Sequence, residues 1–243
     1  PAVAKGMLAV IRARRPDDLE HGNVWNAVNA LMEAKAPQCA EAADLLMAMY
    51  GRHGESPMPI VAARTPSDCF DMAIEAARIA LVHQTPVMFL SDGYLANGSE
   101  PWRLPEVDDL PTIEVRYATE FNMVDEDGNG TFWPFLRGED GNRPIALPGT
   151  PDLMHRIGGI EKEDGSGNVS YDPDNHEHMV RLRNDRIASI PVPEAELEEG
   201  SEGDADLLVV GWGSTWGAIA GAARRVRAAG GRVDHVHLTH LNP

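Results

Sequence analysis

Cysteine and basic charge are both scarce in this chain. Cys39 and Cys69 are the only cysteines in 243 residues. Their spacing offers neither a zinc nor an iron–sulfur ligand set. Two isolated cysteines suit reduced thiols in a cytoplasmic protein. No run of eighteen apolar residues exists, which excludes a membrane-spanning helix, and no secretory signal opens the chain. Lysine and arginine number 21 against 38 acidic residues, a net charge of −17. Such a surface repels phosphate backbones and argues against nucleic-acid binding. A Walker loop, GxSxG and HExxH are all missing, and no nucleophile–base–orienter set stands out.

What the chain does hold is an apolar fraction of 43%, enough to build a core in one large domain or two small ones. Its organising stretch is 85–102, TPVMFLSDGYLANGSEPW. Val87-Met88-Phe89-Leu90 reads as a strand buried on both faces of a parallel sheet. Ser91-Asp92-Gly93 stops it, Asn97-Gly98 reverses the chain again, and Pro101 discourages further regular structure. A core strand thus delivers a polar loop to a sheet end, where ligands of open α/β sheets bind. On spacing alone, a plain connector accounts for it. Upstream, 59–63 reads as a short strand. Thr65, Pro66 and Asp68 read as N-cap, N1 and N3 of a helix. Phe70, Ala73, Ile74, Ala77 and Leu81 would form its buried face. Strand, helix and strand make a βαβ unit with a right-handed crossover.

A second βαβ unit closes the chain. Leu207 to Val210 is a buried strand, Ser214 caps a helix with Ala218, Ile219, Ala222, Ala223 and Val226 inward, and Val233 to Leu238 is the next strand. The turn GWGSTWG at 211–217 approaches a dinucleotide fingerprint and fails it. Its third glycine falls one residue late, and Thr239 and His240 stand where an acid is required. A structural tight turn is the reading, with an anion at the helix N-terminus as the alternative.

The remaining features have plain readings. Val24, Trp25, Val28, Leu31 and Met32 lie at helical spacing before Pro37. Arg12, Arg14 and Arg15 form a solvated basic patch or a phosphate site. Residues 41–50 read as a helix, with Met47 and Met49 as core filler and Gly51 as its C-cap. Gly51-Arg52-His53-Gly54-Glu55 sets a base, an imidazole and a carboxylate between two glycines. That suits an active-site edge, although an ordinary turn closed by an ion pair also explains it. Residues 103–185 promise hairpins and long loops. The loop DEDGNG at 125–130 begins like a calcium loop, but Leu136 stands where Glu is needed, so it reads as a hairpin turn with Phe132, Trp133 and Phe135 packed behind it. His176 and His178, with His155, suggest a metal, yet i and i+2 do not share a helix face and 172–183 reads as a helix; no metal site is expected. Glu194 to Asp206 holds seven acids and no base, and reads as a solvated linker.

Three separated blocks in order resemble one family. They are MAMYGRHGESPMPIVAARTPSDCFDMAIEAARIAL running on into 85–102, HRIGGIEKEDGSGNVSYDPDNHEHMVRLR at 155–183, and GWGSTWGAI at 211–219 running on to HLTHLNP. Over about 44–243 the chain resembles the alpha subunit of 2-oxoacid:ferredoxin oxidoreductases, nearest to the 2-oxoglutarate type of actinobacteria. The resemblance implies an α/β fold. Residues 44–102 would be the C-terminal half of a pyrimidine-binding domain, 103–200 an irregular connecting region with an acidic linker, and 201–243 the start of a domain like the C-terminal domain of transketolase. Residues 1–43 stay unassigned.

The resemblance also implies oxidative decarboxylation of 2-oxoglutarate with coenzyme A to succinyl-CoA, a tricarboxylic acid cycle reaction, with electrons passed to ferredoxin. Pyruvate and branched-chain 2-oxoacids are the alternative substrates. Thiamine diphosphate with magnesium would be shared with a beta subunit that also carries a [4Fe–4S] cluster. That division explains the missing cysteines and the missing GDG…NN motif for magnesium diphosphate, of which Ser91-Asp92-Gly93 is a partial echo. The family's YPITP loop, pyrimidine-contacting Glu and QRGGPSTG arginine lie upstream of the matching stretch and are absent from 1–43. The chain opens on Pro1 and stops at Pro243, so both ends read as cut and the chain alone as inactive. No catalytic residue is assigned. His53 and Glu55 are the candidates for the cofactor cleft. The rival is a noncatalytic interaction module docking through Trp102, Trp133, Trp212 and Trp216.

Overall fold

The structure, a computed structural model, describes residues 12–13, 42–201 and 203–243. The predicted helix at 24–32, most of the basic cluster and Cys39 lie outside the described residues; Arg12 contributes backbone only. The described residues pack as two units. The first holds the described residues up to Ala76, with Val87–Pro105 and Val192–Asn242. The second holds Ala77–Pro86, Glu106–Pro191 and Pro243.

Two mixed sheets build the first unit. In one, the order is β3 (Met88–Leu90), β2 (Ile60–Ala62), β9 (His240–Asn242). β2 runs parallel to β3, Ile60 opposite Met88, and antiparallel to β9. Between β2 and β3 runs helix α2 (Asp68–Val82), so the predicted βαβ unit forms. Thr65 caps it as expected, its Oγ1 accepting from Asp68 N at 3.2 Å.

The strand buried on both faces is β2, not β3. Ile60, Val61 and Ala62 are at most 1% exposed, whereas Met88, Phe89 and Leu90 are half-buried at the sheet edge. The apolar run at 87–90 has a strand partner on one side only among the described residues, so it cannot reach that burial. The helix face is also rotated from its predicted position. Met72 and Ile79 are buried, while Ala73 and Ala77 are exposed and Leu81 is 48% exposed. The face turns because Glu75, on its buried side, meets His240 Nε2 at 3.1 Å; a carboxylate with a fixed partner is tolerated where an apolar stripe was expected. Helix α1 (Ala42–Tyr50) ends at Gly51 as predicted, but Met47 is 62% exposed and is not core filler.

The other sheet has the order β1 (Arg12–Ala13), β7 (Leu207–Trp212), β8 (Val233–Leu238), β6 (Leu197–Glu199). β7 and β8 are parallel, joined by helix α5 (Trp216–Ala228). Val209, Ile219, Ala223 and Val233 form its core, with Leu207 and Val226 packed on it. Burying each Val or Ile contributes about 1.5–3 kcal/mol. A 3-10 turn over Gly213–Thr215 precedes α5, so Ser214 is buried inside that turn rather than capping the helix. Gly213 has φ +64°, a left-handed conformation open to glycine at little cost. Gly211 is closely packed: a Cβ there would stand 2.4 Å from Ile219 Cδ1, so the isoleucine would have to shift. These glycines serve packing, as the tight-turn reading holds.

The acidic stretch is not simply a linker. Leu197–Glu199 is β6, antiparallel to β8. Glu199 pairs with Arg224 at 2.9 Å and with Arg227, and Glu198 reaches Arg64 and Trp216. The composition looked solvated because the arginines that pair with these acids lie far away in sequence.

The second unit is loop-rich, as composition suggested. A hairpin joins β4 (Met123–Val124) to β5 (Gly130–Thr131), and Asp125 Oδ1 accepts from Asn129 N at 2.8 Å across its turn. Phe132 is buried, and Trp133 and Phe135 half-buried, behind it. Helix α4 (Pro173–Ala188) is N-capped by Asp172, whose side chain accepts from Asp174 N at 2.8 Å. Among the described residues, no helix is long and apolar enough to cross a membrane.

Candidate functional site

Chain direction decides where a site can form. In the first unit, β2, β3 and β7 each end in a polar turn, and those three turns line one cleft of about 760 Å³. After β2 come Arg64, Thr65 and Pro66. After β3 comes α3 (Gly93–Asn97), a single helical turn, followed by Gly98, Ser99 and Glu100. Asp92 builds that turn: its Oδ1 accepts from Tyr94 N and Leu95 N, both at 3.0 Å. After β7 come Ser214, Trp216 and Gly217, with Arg225 further along α5. The loop at 91–102 is therefore a one-turn helix on a sheet end, where α/β ligands bind.

The cleft is amphiphilic. Tyr94, Leu95 and Trp216 supply apolar surface, and Arg64 and Arg225 supply positive charge. Glu100 Oε1 accepts from Ser67 N at 2.5 Å. Hydrogen bonds from Ser67, side chain first and then backbone, and from the Thr65 hydroxyl hold its carboxyl below the usual carboxylate range. Trp216 Nε1 donates to Glu198 Oε2 at 3.0 Å, and Arg64 binds the other oxygen of the same carboxylate. Such a surface binds and orients a polar ligand with an apolar body. It holds no histidine, cysteine or lysine, and its Ser214 is buried.

The predicted cofactor residues sit elsewhere. His53 and Glu55 are both exposed on the loop after α1, and neither lines the cleft. Arg52 closes that loop, donating to the carbonyls of Ala48, Met49 and Ser56. The three histidines do not converge. His176 Nδ1 meets Glu161 at 2.6 Å, His178 Nε2 meets Asp164 at 3.0 Å, and His155 packs edge-on to Phe132. Among the described residues, no group of three His, Cys, Asp or Glu side chains is placed to hold a metal ion. Of the four tryptophans considered for docking, Trp212 is buried and Trp133 and Trp216 half-buried; Trp102 alone is exposed, its ring tilted against Phe70 at 5.3 Å between centroids.

The architecture is that of an α/β binding scaffold with its cleft at the strand ends. Residues 27–130 match the family model described as pyruvate flavodoxin/ferredoxin oxidoreductase, thiamine diphosphate-binding. That match reaches back into the segment 1–43. The chain is 50% identical over 208 residues to 2-oxoglutarate oxidoreductase subunit KorA of Mycobacterium tuberculosis, covering 85% of this chain and 30% of that protein. It is 30% identical to 2-oxoacid:ferredoxin oxidoreductase 1 subunit alpha of Aeropyrum pernix, over 85% of this chain and 32% of that one. Among solved structures, the 2-oxoglutarate:ferredoxin oxidoreductase of Magnetococcus marinus, with 2-oxoglutarate, coenzyme A and succinyl-CoA bound, matches 82% of this chain and 33% of its own, at 33% identity and a TM-score of 0.71. Over most of its length the chain is thus similar to alpha subunits of 2-oxoacid:ferredoxin oxidoreductases. It spans about a third of the length of these relatives.

Proposed function

We propose that the chain is a region of the alpha subunit of a 2-oxoglutarate:ferredoxin oxidoreductase. The reaction would join 2-oxoglutarate and coenzyme A, release carbon dioxide and a proton, and pass two electrons to ferredoxin, leaving succinyl-CoA. The observation that carries this reading is the match, at 33% identity and TM-score 0.71, to an enzyme holding that substrate, coenzyme and product. Residues 44–102 would belong to the pyrimidine-binding half of the thiamine site, and 201–243 to a transketolase C-terminal-like domain. A beta subunit would supply the magnesium diphosphate site and the [4Fe–4S] cluster, the division that the family resemblance implies. Thiamine, when bound, would serve as the electron sink for decarboxylation; this chain's part would be to bind and orient. The assembly would work in the cytoplasm, with ferredoxin as acceptor.

The test is co-expression of the full-length subunit with its beta partner, followed by dye reduction with 2-oxoglutarate, pyruvate and a branched-chain 2-oxoacid in parallel. Turnover is expected with 2-oxoglutarate and only in the complex. Faster turnover with pyruvate would move the assignment within the family, and the absence of both complex and turnover would end it. His53 and Glu55, away from the strand-end cleft, stay the candidates for a separate contact with thiamine diphosphate because two glycines leave their loop open. Their alanine variants are expected to raise the apparent KM for thiamine diphosphate by roughly tenfold, with kcat little changed at saturation. An unchanged KM would remove both from the site.

A further inference from the structure

Three arginines of the second unit crowd one turn. Arg137 Nη1 donates to the carbonyl of Gly141 at 3.0 Å. Gly141 lies against Arg186: a Cβ built on it would stand 3.5 Å from Arg186 Cβ. Arg186 Nη1 donates to the carbonyl of Gln84 at 3.3 Å, and the side chain of Gln84 donates to the carbonyl of Arg143. The Arg143 guanidinium lies over the Phe135 ring, 4.6 Å from its centre. All three arginines are half-buried.

The cluster is short of negative charge. Among the described residues, none of the three makes an ion pair with a carboxylate. Asp164 is the one acid whose charge bears on the cluster, through Arg137, and it is already engaged by His178 at 3.0 Å; no acid acts on Arg143 or Arg186. The buried Nε atoms of Arg137 and Arg186 have no hydrogen-bond partner. Burial first, and then the neighbouring arginines, push Arg186 down to about 10. Burial, and then Arg143, also lower Arg137. Arginine remains charged at neutral pH even so, and cannot relieve the repulsion by losing its proton. Half-buried like charges with one shared carboxylate among three destabilise a fold unless a further anion sits among them. Guanidinium forks match phosphate oxygens in pairs, and a doubly charged phosphate offsets three cations better than a single carboxylate.

We propose that Arg137, Arg143 and Arg186 form a binding site for the phosphate group of a small ligand; none of the three lines the strand-end cleft. The probe is inorganic pyrophosphate, titrated into the intact subunit by calorimetry at low ionic strength in phosphate-free buffer. Saturable binding is expected, weakened at least about tenfold in Arg143→Gln and Arg186→Gln and unchanged in Arg225→Gln, which alters the cleft instead. Pyrophosphate should also raise the melting temperature of the wild type more than that of either variant. Arg143→Gln keeps the test alive if Arg186→Gln fails to fold, because the Arg143 guanidinium contacts a ring and no backbone carbonyl. No saturable binding, or equal binding in wild type and Arg143→Gln, overturns the proposal. Loss of binding in Arg225→Gln alone also overturns it, since the anion would then sit in the cleft.

Discussion

At the scale of single residues, the least expected feature is a pair of buried histidines on β8. His235 is 0% exposed, and neither ring nitrogen finds a partner. His237, 7% exposed, donates from Nε2 to the carbonyl of Gly213 at 2.9 Å, which holds the left-handed turn before α5. The rings meet edge-on at 5.5 Å. Burial, and then the neighbouring His235, push His237 down to about 3. The unfolded chain titrates this group near its ordinary value of about 6.5. Below that pH the unfolded state takes up a proton that the folded state refuses, so the unfolded state binds more protons and stability falls as pH drops. The slope is about 1.4 kcal/mol per pH unit, and it ends once the folded form also protonates. His237→Gln keeps a donor for Gly213 and removes the titration. Denaturant melts at about pH 7 and about pH 5 are expected to show the variant losing about 2 kcal/mol less than the wild type over that interval. Equal losses would show that the folded chain takes up this proton as readily as the unfolded one, and that burial does not depress His237.

At the scale of elements, long-range pairing decided where local reading failed. The helices at 42–50, 68–82, 173–188 and 216–228 were legible because caps and periodicity are local signals. β6 was not legible: Glu198 and Glu199 look solvated until Arg64, Arg224 and Arg227 are brought to them. The edge position of β3 was illegible for the same reason, since burial depends on which strands flank it. The loops at 91–102 and 211–217 were recognised as strand-end loops, but their meeting in one cleft required the two sheets to pack. Arg64, Glu100 and Arg225 thus had no sequence signal as a group. Glu198 makes the point testable, because one carboxylate ties the turn after β2 to the start of α5. Glu198→Gln should cost about 1 kcal/mol, the modest figure reflecting a partly exposed pair, and should shift Trp216 emission to the red. An unchanged melting temperature and spectrum would mean that this carboxylate does not hold the two sheets' loops together.

At the scale of the whole molecule, the proposed division of labour between subunits can be tested directly. Cys69 is a free thiol that burial pushes upward, away from the thiolate a cluster needs. Together with Cys39 it cannot complete a four-thiolate site. The subunit purified alone is therefore expected to contain no stoichiometric iron or labile sulfide and to lack the broad visible absorption of a cluster. The complex with the beta subunit should carry both and bleach on adding 2-oxoacid and coenzyme A. Iron analysis and anaerobic spectra on the two preparations separate the cases. A cluster in the isolated subunit would place electron transfer in this polypeptide and would contradict the division between subunits, even if the substrate assignment stood.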